Sequence, residues 1–247
     1  EILMQNQSLL QQREEILAQN ELLNQQKEEI LTKSEDLEQK NRKINEQNKQ
    51  ITASIQYAST IQMALLTSKE SINQILPQNF IFYKPRDIVS GDFYWVKKIK
   101  DIIIIAVADC TGHGVPGAFM SMLGIAFLNE IVRKGEITQA NQVLNEMRQQ
   151  VKLSLSQTGN HEESRDGMDL ALVVIYEKQN LVEYSGANIP LWLFRKSDDE
   201  SKLIEFKPDA MPIGVYINEK ESFTNHQFNL QPGDTIYLFS DGFADQF

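Results

Sequence analysis

Residues 102–118 read IIIIAVADCTGHGVPGA, and the rest of the chain is best understood outward from them. Ile102 to Ala108 is an unbroken apolar run, too short for a helix of ordinary length and rich in β-branched residues, so it predicts a buried strand. The strand ends on Asp109. Gly112 and Gly114 then permit a tight turn, and Val115 to Arg133 carries the periodicity of an amphipathic helix with Pro116 in its first turn. Upstream, Gly91 to Lys97 predicts the other arm of a hairpin, and Asn79 to Tyr83 a short strand before Pro85. Downstream, Thr138 to Ser156 predicts a second helix. Asp169–Tyr176, Leu181–Ser185, Leu191–Arg195, Phe223–Phe228 and Asp234–Ser240 predict further strands. Strands, two helices, then strands again describe an α+β domain with helices packed on antiparallel sheets, not alternating βαβ units.

The same form recurs near the end of the chain. Thr235 to Ser240 is an apolar stretch running into Asp241-Gly242, and a third acidic turn, Ser90-Gly91-Asp92, precedes Phe93-Tyr94-Trp95. A carboxylate at a strand exit is rigidly placed, and hard divalent cations take oxygen ligands. A single Asp-Gly is ordinarily only a turn; three acidic turns beside apolar strands make Asp92, Asp109 and Asp241 candidate metal ligands. Other chemistries lack their parts. A cysteine phosphatase built on Cys110 would need an arginine six residues on, where Pro116 stands. There is no Walker A loop and no G-x-S-x-G elbow. One cysteine and the scattered His113, His161 and His226 do not make a zinc cluster. His113 is open to two readings, proton donor or turn stabiliser. Metal-activated water is the mechanism that remains.

The N-terminal part is different in kind. Residues 1–76 contain neither Gly nor Pro, and Ile2, Leu9, Ile16, Leu23, Ile30, Leu37, Ile44 and Ile51 recur every seven residues. A sustained heptad of this sort predicts a left-handed coiled coil about 80 Å long. With these at d, the a positions are Asn6, Arg13, Asn20, Lys27, Ser34, Asn41 and Asn48. Polar a positions favour a defined register and few strands, hence a parallel homodimer. Residues 1–53 are assigned to the coil, 54–76 to a linker and entry helix, and 77–247 to the α+β domain.

Composition narrows the partners. With 24 Lys and Arg against 34 Asp and Glu, the net charge is -10, which disfavours nucleic acid. One cysteine permits no intrachain disulfide and fits a reducing cytoplasm. The longest apolar run falls well short of the ~20 residues of a membrane span, so no membrane contact is expected from this segment. Because the chain starts at Glu1, further sequence is expected upstream, including a sensor.

Several blocks resemble one family. Tyr83-Lys84-Pro85-Arg86-Asp87-Ile88-Val89-Ser90-Gly91-Asp92-Phe93-Tyr94-Trp95 resembles the opening motif of the SpoIIE-like branch of the PPM metal-dependent Ser/Thr phosphatases. Ala108 to Ala118 is similar to its central motif. Ser185-Gly186-Ala187-Asn188-Ile189-Pro190, Met211-Pro212-Ile213-Gly214 and Ser240-Asp241-Gly242-Phe243-Ala244-Asp245 resemble later blocks, in order. Ser54-Ile55-Gln56-Tyr57-Ala58 with Ile61-Gln62 is similar to the family's entry helix. The resemblance implies a β-sandwich flanked by helices and two Mn²⁺ or Mg²⁺ ions. It implies that Asp109 bridges both ions, that the Cys110 carbonyl touches one, that Asp241 holds the other, and that Asp92 supports the site directly or through water. Arg86, near the first acidic turn, is a candidate phosphate ligand. The implied substrate is a phosphoserine or phosphothreonine protein such as an anti-sigma-factor antagonist. A non-catalytic dimeric module with a phosphatase-like partner-binding domain is the competing reading. The family also carries a further ligand Asp on a final strand, which has no counterpart before Phe247. Asp166-Gly167-Met168-Asp169 is out of order to replace it and reads as a loop entering a strand. The expectation is therefore an incomplete site with weak metal binding and reduced or absent activity.

Overall fold

The computed structural model describes residues 2–133, 139–159, 164–196 and 201–242. Phe243, Ala244 and Asp245 of the last motif, His161, and the expected helix start at Thr138 lie outside the described residues. The chain divides into two compact units, Glu1–Ser54 and Ile55–Phe247.

The first unit is helical throughout its described residues, as part of α1 (Ile2–Leu65). Its surface carries i,i+4 ion pairs from Lys33 to Glu29, Lys40 to Asp36 and Arg42 to Glu38, all exposed and so screened by solvent. Its d row finds nothing to pack on among the described residues of the unit: from Ile2 to Ile51 those side chains remain 51% to 77% exposed.

The second unit begins with the end of α1 and with α2 (Lys69–Ile75), which Ser68 caps by accepting the Ser71 N–H. β1 (Phe93–Ile99) and β2 (Ile102–Cys110) form the predicted hairpin. α3 (Gly114–Arg133) and α4 (Ala140–Ser154) follow, then β3 (Met168–Tyr176), β4 (Leu181–Ala187), β5 (Leu191–Lys196), β6 (Ser201–Phe206), β7 (His226–Asn229) and β8 (Thr235–Tyr237). All pairings between strands are antiparallel. One sheet has the order β1-β2-β3-β4-β7 and the other β6-β5-β8.

Alternation along β3 shows how the layers are built. Leu170, Leu172 and Val174 join Phe93, Trp95, Ile104 and the apolar faces of α3 and α4 in one core. Ala171 and Val173 point the other way and pack, with Tyr184, Leu191 and Leu193, between the two sheets. Both faces of β3 are thus buried, which is why its sequence runs apolar from Leu170 to Ile175 without a polar alternate. Each such aliphatic side chain, at 0% exposure, contributes about 1.5–3 kcal/mol relative to leaving it in water. α3 is long and apolar enough to cross a membrane, but ten of its residues are buried, and Met120, Ile125, Phe127, Leu128, Ile131 and Val132 lie in this core. At the start of α4 the buried Glu183 accepts the Ala140 N–H at 3.2 Å and the Gln227 amide at 2.9 Å. A carboxylate at a helix N-terminus is favourable there.

Three expectations need correction. Asn79 to Tyr83 forms no strand: Ile81 and Tyr83 turn inward and Phe80 and Phe82 outward, as in a strand, but no described neighbour supplies a ladder. β6 was not anticipated, because Lys202 and Glu205 on an edge strand obscure its alternation. The last two predicted strands are shorter, reduced to His226–Asn229 and Thr235–Tyr237.

Candidate functional site

The acidic residues come together through strand register. Phe93 lies opposite Ala108, so Asp92 stands one step beyond, beside Asp109; Asp109 is itself paired with Asp169 on β3. Alternation puts all three on the face that Tyr94, Ile105 and Val173 share, the face turned toward the second sheet. Three adjacent strands thus present a row of carboxylates at one end of the sandwich. From the other sheet, Asp241 follows β8 by four residues, and its charge acts on both Asp109 and Asp169. Ser240 donates to Asp92 Oδ2 at 2.8 Å, tying that segment to the row.

Small residues allow the turns to nest. Gly112 sits at φ +83°, a conformation that L side chains rarely adopt. A Cβ on Gly117 would fall 2.4 Å from the Gly112 carbonyl oxygen, and one on Gly91 would fall 3.1 Å from the Cys110 carbonyl oxygen. The first acidic turn therefore lies directly against the carbonyl that follows Asp109. It is also held from behind. Gln62, the one buried residue of α1, donates to the Ser90 carbonyl at 2.6 Å and the Ser121 hydroxyl at 2.7 Å, and accepts the Ser90 N–H at 3.1 Å. One carboxamide thus satisfies both main-chain groups of the residue two before Asp92.

Electrostatics identify the strained member. Partial burial, reinforced by the charges of Asp92 and Asp241 and by hydrogen bonding to both, pushes the Asp109 carboxyl up to about 8. Burial also raises Asp169, against a 2.7 Å hydrogen bond from Asn188 that favours its ionised form. Like charges placed opposite one another on neighbouring strands are destabilising. Among the described residues no three acidic, His or Cys side chains already stand in a geometry that would hold an ion. Ser240 engages Asp92, and Asp109 shares hydrogen bonds with Asp92 and Asp241. The donor set, oxygen-only and concentrated in negative charge, fits a hard divalent cation, which would relieve the repulsion that lifts Asp109.

The remaining sequence candidates are placed as follows. The Cys110 thiol is buried on the helix side of β2, its pKa raised by that burial, so only its main-chain carbonyl can serve the site. Arg86 is exposed, six residues before Asp92. His113 is exposed, with Nδ1 3.6 Å from Asp87 Oδ2 across the turn. Asp169 was set aside in the sequence because its order along the chain was wrong. Cross-strand register is what brings it in, and the signal available was its place at the head of an apolar strand matching that of Asp109.

Comparison with known proteins agrees with this geometry. Residues 100–247 match the family model described as Stage II sporulation protein E (SpoIIE). The SiaA-PP2C domain of Pseudomonas aeruginosa is similar in structure with a TM-score of 0.68 and 35% sequence identity, over 81% of this chain and 75% of that one. Phosphoserine phosphatase RsbU of Bacillus subtilis (strain 168) is 26% identical over 205 residues, which are 80% of this chain and 55% of that protein. The chain thus spans about half the length of that curated relative. The RsbU and RsbW domains of Rv1364c from Mycobacterium tuberculosis share the fold, with a TM-score of 0.51 at 18% identity over 65% of this chain and 41% of that one. The family-model match over residues 100–247 and the structural match at 35% identity place this chain in the SpoIIE family, the SpoIIE-like branch of the PPM phosphatases.

Proposed function

We propose that this chain is a metal-dependent protein serine/threonine phosphatase of bacterial signalling, acting in the cytoplasm and regulated through its N-terminal coil. The observation that carries the reading is the convergence of Asp92, Asp109 and Asp169 on one sheet with Asp241 from the other. Asp109, the Cys110 carbonyl, Asp92 and Asp241 are the groups that would hold the two ions, with Asp109 as the carboxylate common to both. Asp169, oriented by Asn188, adds a fourth carboxylate. Two bound Mn²⁺ or Mg²⁺ ions would lower the pKa of a water, align it with phosphorus and offset the phosphoryl charge. The protein's part is to hold its oxygens rigidly at strand ends and to exclude other side chains by the glycine-lined approach of the turns. Arg86, exposed ahead of Asp92, is the guanidinium proposed to meet the phosphoryl group.

The substrate class follows from the kinship: a phosphoserine or phosphothreonine on a protein, with an anti-sigma-factor antagonist as the proposed partner. Regulation follows from α1. The exposed d row of residues 2–51 calls for a second copy, giving a parallel homodimer. Gln62, further along the same helix, holds the turn that carries Asp92. The alternative, a non-catalytic dimeric module, is favoured by one observation, that the acidic set is not already in ligand geometry. A manganese-dependent phosphatase assay on the full-length protein with a phosphoserine peptide decides between them. The catalytic reading requires turnover that chelator and Asp109→Asn both abolish; absence of turnover favours the alternative, and metal-independent turnover contradicts both.

A further inference from the structure

We propose that Thr111 is a positioning residue whose hydroxyl fixes the direction of the Cys110 carbonyl; this rests on the metal-centre reading above. The last regular pair between β2 and β3 is Cys110 with Met168. One step further the ladder continues in altered form. The Thr111 N–H donates to the Gly167 carbonyl at 3.0 Å, but the Gly167 N–H returns its bond at 3.0 Å to the Thr111 hydroxyl, not to the Thr111 carbonyl. The side chain stands in for the main-chain acceptor, which frees the Thr111 carbonyl and lets the chain leave the sheet at Gly112.

The consequence reaches Cys110 through peptide geometry. In a planar trans peptide the C=O and the following N–H point in opposite directions. Since the Thr111 N–H is directed at β3, the Cys110 carbonyl is directed the other way, toward the turn that carries Asp92. The 3.1 Å separation between that oxygen and the place a Gly91 Cβ would occupy agrees. The hydroxyl is in turn held on its far side. It donates to Asp166 Oδ1 at 3.1 Å, while Asp166 Oδ2 accepts from Ser164 at 2.5 Å. The Asp166 carbonyl accepts from the buried Gln157 amide at 2.6 Å, and Gln157 Oε1 accepts the Val215 N–H at 3.0 Å. The Thr111–Gly167 pair is therefore anchored to the end of α4 and to the 213–215 segment, and cannot rotate alone.

The hydroxyl is the needed group, so Thr111→Ser should retain the function and Thr111→Val, of nearly equal shape, should lose it. Calorimetric titration of the full-length protein with Mn²⁺ is expected to show about tenfold weaker binding for Thr111→Val, the lower end of outer-shell effects on metal affinity because this hydroxyl is exposed. Thr111→Ser should bind within about twofold of the parent. Hydrogen exchange at the Gly167 amide reports the tether without metal: protection should fall in Thr111→Val and persist in Thr111→Ser. Unchanged manganese affinity in Thr111→Val, or equal losses in both variants, overturns the proposal. Failure of the parent protein to bind Mn²⁺ would instead overturn the metal-centre reading, and the proposal with it, and is distinguished by the unmutated titration alone.

Discussion

The N-terminal helix and the carboxylate row are both left unfinished by the chain, in opposite senses. Along residues 2–51 an apolar stripe faces water, with d-position side chains at least half exposed. At the end of the sandwich, acidic groups are drawn partly out of water beside one another, and every neighbour that acts on Asp109 raises its pKa. More apolar surface would relieve the first and positive charge the second. The proposed second copy of the coil and the proposed divalent cations thus answer separate features of one sequence. Gln62, a buried amide on an otherwise exposed helix, is the residue through which the two can be linked.

The sharpest way to separate these features is Asp109→Asn. Phosphatase activity should fall by about a thousandfold or more, since the carboxylate proposed to hold both ions is lost. The metal-free protein should at the same time melt higher, because a destabilised carboxyl has been replaced by a neutral amide. A lower melting point in chelator would break the picture of stored repulsion. The same comparison predicts a pH effect. Asp109 has a raised folded pKa, so its contribution to stability is fully present below the ordinary carboxylate value of about 3.9 and is lost as pH rises through about 8. In chelator the melting temperature should decline across pH 5 to 9, and saturating Mn²⁺ should remove or invert that trend.

The coil is tested independently. Replacing Ile30 and Leu37 together with Asn should convert a dimer to monomer in sedimentation, with little change in the melting of the α+β domain. Inserting one residue near Gln50 should alter the activity of the full-length enzyme about tenfold while leaving it dimeric, because the helix beyond is rotated by ~100° relative to the seam. An unchanged rate would dissociate coil from catalysis. Gln62→Leu is the smallest change expected: it leaves the Ser90 main chain unsatisfied at a cost of about 1–3 kcal/mol, read by denaturant unfolding, and weakens Mn²⁺ binding. Lost stability with unaltered manganese affinity would reduce Gln62 to a packing role.

The regular parts of the fold were legible because their patterns are local. The apolar run before Asp109, the α3 periodicity and the heptads each specify an element without reference to the rest. What was not legible depends on partners. Asn79 to Tyr83 has a strand's alternation but no neighbour to pair with among the described residues, and β6 is a strand because β5 offers it an edge. Asp169 shows the same limit in the site: chain order argued against it, whereas the antiparallel register of β2 and β3 sets it beside Asp109. Gln62 was quoted within a motif, but its burial against Ser90 and Ser121 is tertiary and has no signature in a helix that is polar on most faces.

The central claim is that Asp109 organises a cation centre. Its most direct test is calorimetric titration of Mn²⁺ into the full-length protein at pH 7 in buffers of differing ionisation enthalpy. With the Asp109 carboxyl raised to about 8, binding should release close to one proton from that group, and Asp109→Asn should abolish both the release and the tight binding. Manganese binding without proton release, or binding that survives Asp109→Asn unchanged, would contradict it.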